Sequence, residues 1–331
     1  AWPTWAEMAI ITLLLPERAR LPGPLPAAVG KRLARADWQA GQAGSPAQLR
    51  RHFRLVPDHW PVASLTRLVD AGDTAGGPGG NLADTWLRAD PAHVAPDMNG
   101  ARLLGWGETL GMDQDDVQAL LPALRPLFGD AGFQLDAPHP ARWYLRLPEG
   151  ARLPALPGPD EALGEDLFAA LPQGDDAVAR RWRSLITEAQ IVLHQHPRNR
   201  ERAAQGKAAI NALWFWGAGR LPDAVQSRYL HVRSPDPLLH GLARMAGAAV
   251  AAPEASADGP AGDSLVDMRR LRSVELLGSQ VLPPLLQAMT RREYDTLQLD
   301  FEDGTCLALR PGQRGWQFWR RPLATLVGGA D

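Results

Sequence analysis

Only one cysteine, Cys306, occurs in 331 residues. This excludes a disulfide within the chain and a cysteine-based zinc cluster, and it fits a reducing cytoplasm. Lysine is almost as scarce. Lys31 and Lys207 are the whole supply, and arginine carries the rest of the positive charge, a bias expected of a GC-rich genome. The net charge is only −2, so no basic field marks a nucleic-acid or acidic-membrane partner. No apolar run approaches the ~18–20 residues that span a bilayer. The run Met8–Leu15 is too short for a secretory signal and lacks a basic flank. Met8 reads as a native start, with residues 1–7 an appended stretch. Histidine is absent after His240. The expectation is a cytoplasmic protein with neither nucleic acid nor membrane as partner.

Apolar residues make up 45% of the chain and charged residues 22%, as in globular proteins. The length suits a large core and about two domains. AIITLLLP, Ala9–Pro16, reads as a short strand buried on both faces. DTWLRADP reads as another, ended by Pro91. The run from Gly111 to Phe133 is helical, with Asp113 as N-cap, Asp115 and Asp116 near the positive helix end, and Val117, Leu120, Leu121 and Leu124 as the apolar stripe. ARWYLRLP is a strand. Asp176–His196 is a long amphipathic helix stopped by Pro197. NALWFW is apolar on both faces and reads as a central strand of a covered sheet. DPLLHGLARMAGAA is helical, Val250–Ser264 a loop, and LVDMRRLRSVELLGSQ opens a helix broken at Pro283–Pro284. Two alternating runs around Glu302–Gly304 make a hairpin. Strands alternating with helices argue an α/β layered fold.

Several residue groups carry candidate chemistry. Gly217 and Gly219 sit at a strand's C-terminal end, where open α/β sheets place ligands. A dinucleotide fingerprint would need glycine where Pro222 stands, so the choice lies between a tight turn and the edge of some other ligand site. His194 and His196 end a helix, and Asn199, Arg202 and Lys207 follow. They read as a polar terminus or as a cluster for phosphate or carboxylate. Arg88, Asp90 and His93 lie at a strand end, either as an acid–base pair or as a structural turn. Asn211 opens the Trp-rich strand. Asp236 and His240 have metal-ligand spacing, but Asp236 before Pro237 reads better as an N-cap. Cys306 lies in an apolar strand and reads as inert core.

LITEAQIVLHQHPRNRERAAQGKAAINALWFWGAGRLP, Leu185–Pro222, resembles a segment of the archaeal-type cofactor-independent phosphoglycerate mutases. In these a His-Pro-x-Asn-x-x-Arg run, a Gly and a Trp-x-Trp-Gly-x-Gly-x-x-Pro strand follow in order. The matching residues here are His196, Pro197, Asn199, Arg202, Gly206, Trp214, Trp216, Gly217, Gly219 and Pro222. The run Asp116–Leu147 looks like the middle domain of those enzymes. The likeness covers roughly residues 84–250, and the arrangement is most similar to the RpfE-type regulatory proteins, a bacterial branch of that superfamily.

The resemblance implies an alkaline-phosphatase-like layered core sheet, residues 8–83 and 207–331, with an inserted α+β domain, residues 84–206. It also implies two metal ions and a phosphorylated serine, and here the chain departs. The first strand ends in Pro16-Glu17-Arg18 where Asp-Gly is expected. The loop Pro78-Gly79-Gly80-Asn81 has no hydroxyl. No histidine follows His240, and the last hairpin reads LDFEDG where an Asp-His pair is expected.

The resulting expectation is a non-catalytic regulatory or ligand-binding protein with no metal and no cofactor. Its ligand pocket would be formed by Arg88, Asp90, His93, His196, Asn199, Arg202, Asn211, Gly217 and Gly219, and would take a small anion. Two alternatives stand beside it. One is a phosphoesterase or phosphomutase with a divergent site built on Asp90, His93, His196 and Arg202. The other is a structural or oligomer-interface protein using some of the twelve tryptophans.

Overall fold

The computed structural model describes residues 9–72, 83–97, 100–163, 170–252, 262–311 and 321–327. Met8 and the loop Pro78–Asn81 lie outside them. The strands in the first third of the chain are β1 (Ile10–Leu15), β2 (Asp37–Ala40), β3 (Arg54–Val56), β4 (Thr85–Asp97) and β5 (Gly100–Trp106). Next come β6 (Gln134–His139), β7 (Arg142–Leu147), β8 (Ala212–Gly219), β9 (Ala224–Gln226) and β10 (His231–Arg233). The last are β11 (Ala249–Ala251), β12 (Ser264–Asp267), β13 (Thr296–Phe301) and β14 (Thr305–Leu309). The fold is mixed α/β.

The chain divides into two compact units, Ala1–Val56 with Ala224–Asp331, and Pro57–Asp223. The continuous unit is wider than residues 84–206 at both ends. Helix Val62–Asp70 and β8 fall within it because both pack on β4.

The discontinuous unit is built on a seven-stranded mixed sheet, ordered β11-β10-β12-β1-β13-β14-β2. The strands β11, β10, β12, β1 and β13 run parallel. The apolar β1 lies between β12 and β13, as its burial on both faces requires. β13 and β14 form the expected hairpin, with Gly304 at φ +88° in the turn. Leu13, Leu15, Leu297, Leu299 and Phe301 join Leu277, Leu282 and Leu286 in one apolar core.

Two local expectations fail in this unit. Ser264–Asp267 is strand β12 rather than the opening of a helix, because its short apolar run is buried between β1 and β10. Ala249–Ala251 in the expected loop is strand β11. Segments this short carry too little period to separate strand from helix or loop.

The continuous unit holds a second sheet, β5-β4-β7-β6, with β8 on the other side of β4. Helices Gln114–Asp130 and Ala177–Gln195 cover one face. Phe128, Trp182 and Phe215 meet there at ring-centroid distances of 6.0 and 5.5 Å. Asp113 caps the first helix as expected, accepting Asp116 N at 3.0 Å, and the four-residue apolar stripe is buried.

β8 is covered on both faces. Leu213 and Phe215 join the helix-facing core, while Trp214 and Trp216 pack on the other side. It is not a central strand, however, since among the described strands it pairs with β4 alone. β4 also continues through Pro91 to Asp97. On its far flank β7 pairs with residues 85–88 and β5 with 92–97. Pro91 therefore sits where only one flank carries a ladder, and its missing N–H is tolerated there.

Candidate functional site

The continuous unit holds every residue of the expected anion pocket, and the side chains of Arg88, Asp90, Asn199, Arg202 and Asn211 bond to partners within it. Arg202 is fully buried. Its Nε donates to the Ala208 carbonyl at 2.9 Å, its Nη2 to the Leu110 carbonyl at 2.6 Å, and its Nη1 to Asp116. Asn199 donates to the Leu193 and Ile210 carbonyls and accepts Ile210 N at 2.8 Å, tying the helix end to the chain entering β8. His196 accepts the Arg198 N–H through Nδ1. Asn211 accepts Val94 N at 2.9 Å and donates to Val94 O at 2.8 Å, so its side chain extends the β4–β8 ladder.

These four residues gather at the start of β8, whereas Gly217 and Gly219 close its far end, about 20 Å away at strand rise. The glycines are needed for packing within the unit. A Cβ on Gly219 would meet Pro61 Cβ at 2.6 Å, and one on Gly217 would meet Val62 Cβ at 3.0 Å. Ser64 Oγ donates to the Gly219 carbonyl. The segment His59–Val62 thus packs closely against both glycines.

Asp90 and His93 are three apart on a strand and point to opposite faces, so they form no acid–base pair. His93 Nδ1 lies 2.8 Å from the Ala209 carbonyl. Asp90 is buried under a fork from Arg88, with Nε to Oδ1 at 2.8 Å and Nη2 to Oδ2 at 2.9 Å. The Trp216 indole adds a bond at 2.8 Å. Burial holds the Asp90 carboxyl above its ordinary range, against the opposing pull of Arg88 and Trp216. The network continues through Thr66, Tyr144 and Asp70 to Arg142. Arginines alternate with rings along it: Arg88 lies 5.3 Å from Trp216 and 5.4 Å from Tyr144, and Arg67 lies 3.8 Å from Trp86. No described tryptophan is exposed.

The other concentration of polar side chains lies in the discontinuous unit, at the C-terminal ends of its parallel strands. From β10 the chain passes through helix Pro237–Met245 to β11 on one side. From β12 it passes through helix Leu282–Thr290 to β13 on the other. The loops after β10 and β12 therefore flank the switch point, the preferred ligand position in open α/β sheets.

Asp236 and Asp267 converge there on Arg269. Arg269 Nη2 lies 2.8 Å from Asp236 Oδ2 and 2.7 Å from Asp267 Oδ2, while Nε donates to Asp267 Oδ1 at 2.8 Å and Nη1 to Ser45 Oγ at 3.1 Å. Ser234 Oγ donates to Asp267 Oδ2 at 2.7 Å. Burial pushes the Asp267 carboxyl up, but bonds from Arg269 and Ser234 outweigh it and leave the group below the ordinary carboxylate range. Asp236 is also the expected N-cap, accepting Leu238 N at 2.8 Å. His240, the other half of the metal-ligand spacing that the N-cap reading was preferred to, faces the Ser234 carbonyl through Nε2.

The next carboxylates along this edge are treated alike. Asp300 near the end of β13 is forked by Arg51 at 2.6 and 2.9 Å and approached by His52 at 2.7 Å. Asp303 holds Arg18 at 2.7 Å. Two divalent ions 3.5–4 Å apart need free carboxylate oxygens and imidazoles. This donor set has cations of the protein at its centre and does not fit them. Among the described residues, no group of three or more His, Cys, Asp or Glu side chains is placed to hold a metal. Arg269, Asp267, Asp300, His52 and Arg51 were not singled out in the sequence. The one available signal was an aspartate at or near the end of the apolar runs of β12 and β13.

No helix of the described residues is long and apolar enough to cross a membrane. No family model matches the chain. It is 27% identical over 143 residues to a probable 2,3-bisphosphoglycerate-independent phosphoglycerate mutase of Geobacter sulfurreducens, a match covering 42% of this chain and 34% of that protein. It is 35% identical over 103 residues to 2,3-bisphosphoglycerate-independent phosphoglycerate mutase 1 of Archaeoglobus fulgidus, covering 28% and 25%. The matches thus span about a third or less of these relatives' length.

Among solved structures, a cofactor-independent phosphoglycerate mutase from Thermoplasma acidophilum gives a TM-score of 0.40 at 16% identity, covering 92% of this chain and 90% of that one. The PH0037 protein from Pyrococcus horikoshii gives 0.46 at 13% identity, covering 94% and 89%. In sequence, the chain has partial homology to the archaeal-type cofactor-independent phosphoglycerate mutases.

Proposed function

We propose that this chain is a non-catalytic, phosphoglycerate-mutase-like protein of the RpfE type, serving regulation by binding a small anion or a protein partner. The observation that carries the reading is the Arg269 guanidinium bridging Asp236 and Asp267 at the switch point of the parallel sheet. A fixed cation there consumes the oxygens with which hard divalent ions are held. The sequence supports it, since Pro78–Asn81 offers no hydroxyl nucleophile and no histidine follows His240.

The test is an assay for interconversion of 2- and 3-phosphoglycerate by the purified chain with Mn²⁺, beside a thermal-shift screen of phosphorylated three-carbon acids and nucleotides. The expected result is no turnover above background. Turnover on the order of 1 s⁻¹ or faster, within the ordinary enzyme range, overturns the reading.

A further inference from the structure

We infer that Arg269 is a built-in cation standing at a divalent-ion position, and that it makes this sheet edge independent of metal. The inference rests on the non-catalytic reading for its motive but concerns Arg269 alone.

Its basis is the meeting of two loops on one nitrogen. Asp236 follows β10 and Asp267 ends β12, and the two residues come from separate turns of the chain. Both present a carboxylate oxygen to Arg269 Nη2, at 2.8 and 2.7 Å. Two carboxylates converging in a half-buried site repel each other unless a positive charge lies between them. Arg269 supplies it from the same loop as Asp267. Its charged form is strongly favoured, because the bonds to Asp267 and Asp236 outweigh its burial.

The oxygens that Arg269 engages are Asp236 Oδ2, both oxygens of Asp267 and Ser45 Oγ. All are hard donors, the type that holds Mg²⁺, Mn²⁺ or Ca²⁺. The nitrogen–oxygen distances lie a few tenths of an ångström beyond the ~2.3–2.6 Å of calcium coordination. Only Asp236 Oδ2 and Asp267 Oδ2 share one nitrogen, so a cation in place of the guanidinium would take these two carboxylates after an inward movement of their loops, with water completing its shell. Asp236 Oδ1 and Ser234 Oγ would keep their present bonds to Leu238 N and Asp267, preserving the loop geometry.

The experiment is calorimetric titration with Mn²⁺ of the wild-type chain, Arg269→Ala, Arg269→Gln and Arg269→Ala with Asp236→Asn, each with a melting curve. The wild type should show no specific site, and its Tm should not respond to EDTA or to 1 mM Mn²⁺. The Arg269→Ala and Arg269→Gln chains should melt lower and bind one Mn²⁺ at least about tenfold more tightly than the wild type. Saturating Mn²⁺ should raise their Tm by a few degrees. The added Asp236→Asn should abolish that gain.

Mn²⁺ binding by the wild type as tight as by Arg269→Ala overturns the inference. So do folded neutral variants that bind no better than the wild type. If both neutral variants are unfolded in EDTA, failure of Mn²⁺ to restore their near-UV circular dichroism overturns it too. Phosphoglycerate turnover by the wild type would refute the proposed function, whereas these titrations decide the role of Arg269.

Discussion

His52 Nε2 lies 2.7 Å from Asp300 Oδ2, although the two residues are 248 apart in the chain. Both are buried. The other ring nitrogen of His52 lies 2.8 Å from the Tyr229 hydroxyl, which is 2.9 Å from Thr12 Oγ1. Arg51 completes the carboxylate's shell with its fork. Three segments of the discontinuous unit, at Arg51–His52, Tyr229 and Thr12, are thereby linked to the strand of Asp300.

Removing that aspartate leaves the Arg51 charge and a buried imidazole without their shared partner. Asp300→Ala is expected to cost about 3–5 kcal/mol, the range for breaking a buried charged pair. Urea unfolding measures it, and a loss below about 1 kcal/mol would show that the shell re-forms with water.

Acid should act through the same carboxylates. Burial pushes Asp300 up, but bonds from Arg51 and His52 outweigh it, and the group lies below its ordinary value. Asp267 is lowered by Arg269 and Ser234 in the same way. A folded-state value below the unfolded one, near 3.9, gives stability that is complete above the unfolded value. It is lost as pH falls through the folded value. Stability should therefore drop steeply below about pH 4, and Asp267→Asn should flatten the acid limb of a Tm–pH profile.

The two tryptophans of β8 should respond differently. Trp214 packs in a core with Ala92, Leu103 and Ala212, so Trp214→Ala should cost about 3–5 kcal/mol. Trp216→Phe keeps most of the ring volume but removes the indole bond to Asp90, for which about 1–3 kcal/mol is expected. Equal losses in the two variants by chemical denaturation would contradict the assignment of Trp216 to the Asp90 pair.

Glycine replacement separates packing from backbone freedom. Gly219→Ala meets Pro61 as well as a φ of +153°, whereas Gly206→Ala at φ +71° meets nothing within 4 Å. The first should lower stability by more than about 2 kcal/mol and the second by about 1. Comparable melting temperatures for the two would remove the close approach of His59 and Pro61 as the reason for Gly219.

Much of the local structure was legible in the sequence. The stripe from Val117 to Leu124, the Asp113 and Asp236 caps, the apolar β1 and the β13–β14 hairpin each depend on residues within a few positions of one another, which period and capping describe. Short β11 and β12 were not legible, because three or four residues carry too little period and their burial comes from strands far away in the chain. The candidate pocket residues bear on a related point. Arg202, Asn199 and Asn211 have side chains able to bind an anion, but a sequence does not say which backbone groups will reach them first. Here the carbonyls of Leu110, Leu193 and Ala208 do.

The α/β class, the helix caps, the both-sided burial of β8 and the lack of a serine or late histidine in the expected places could all be read from the residues alone. Those are matters of composition and short-range pattern. The pairing of β8 with β4 alone among the described strands, the need for glycine at Gly219 against Pro61, and the meeting of Arg269 with Asp236 emerge from the folded chain. Each depends on which distant segments become neighbours. That is set by burial of apolar strands and by the requirement that every buried charge find an opposite one, and the partner chosen is fixed by the packing of the whole unit.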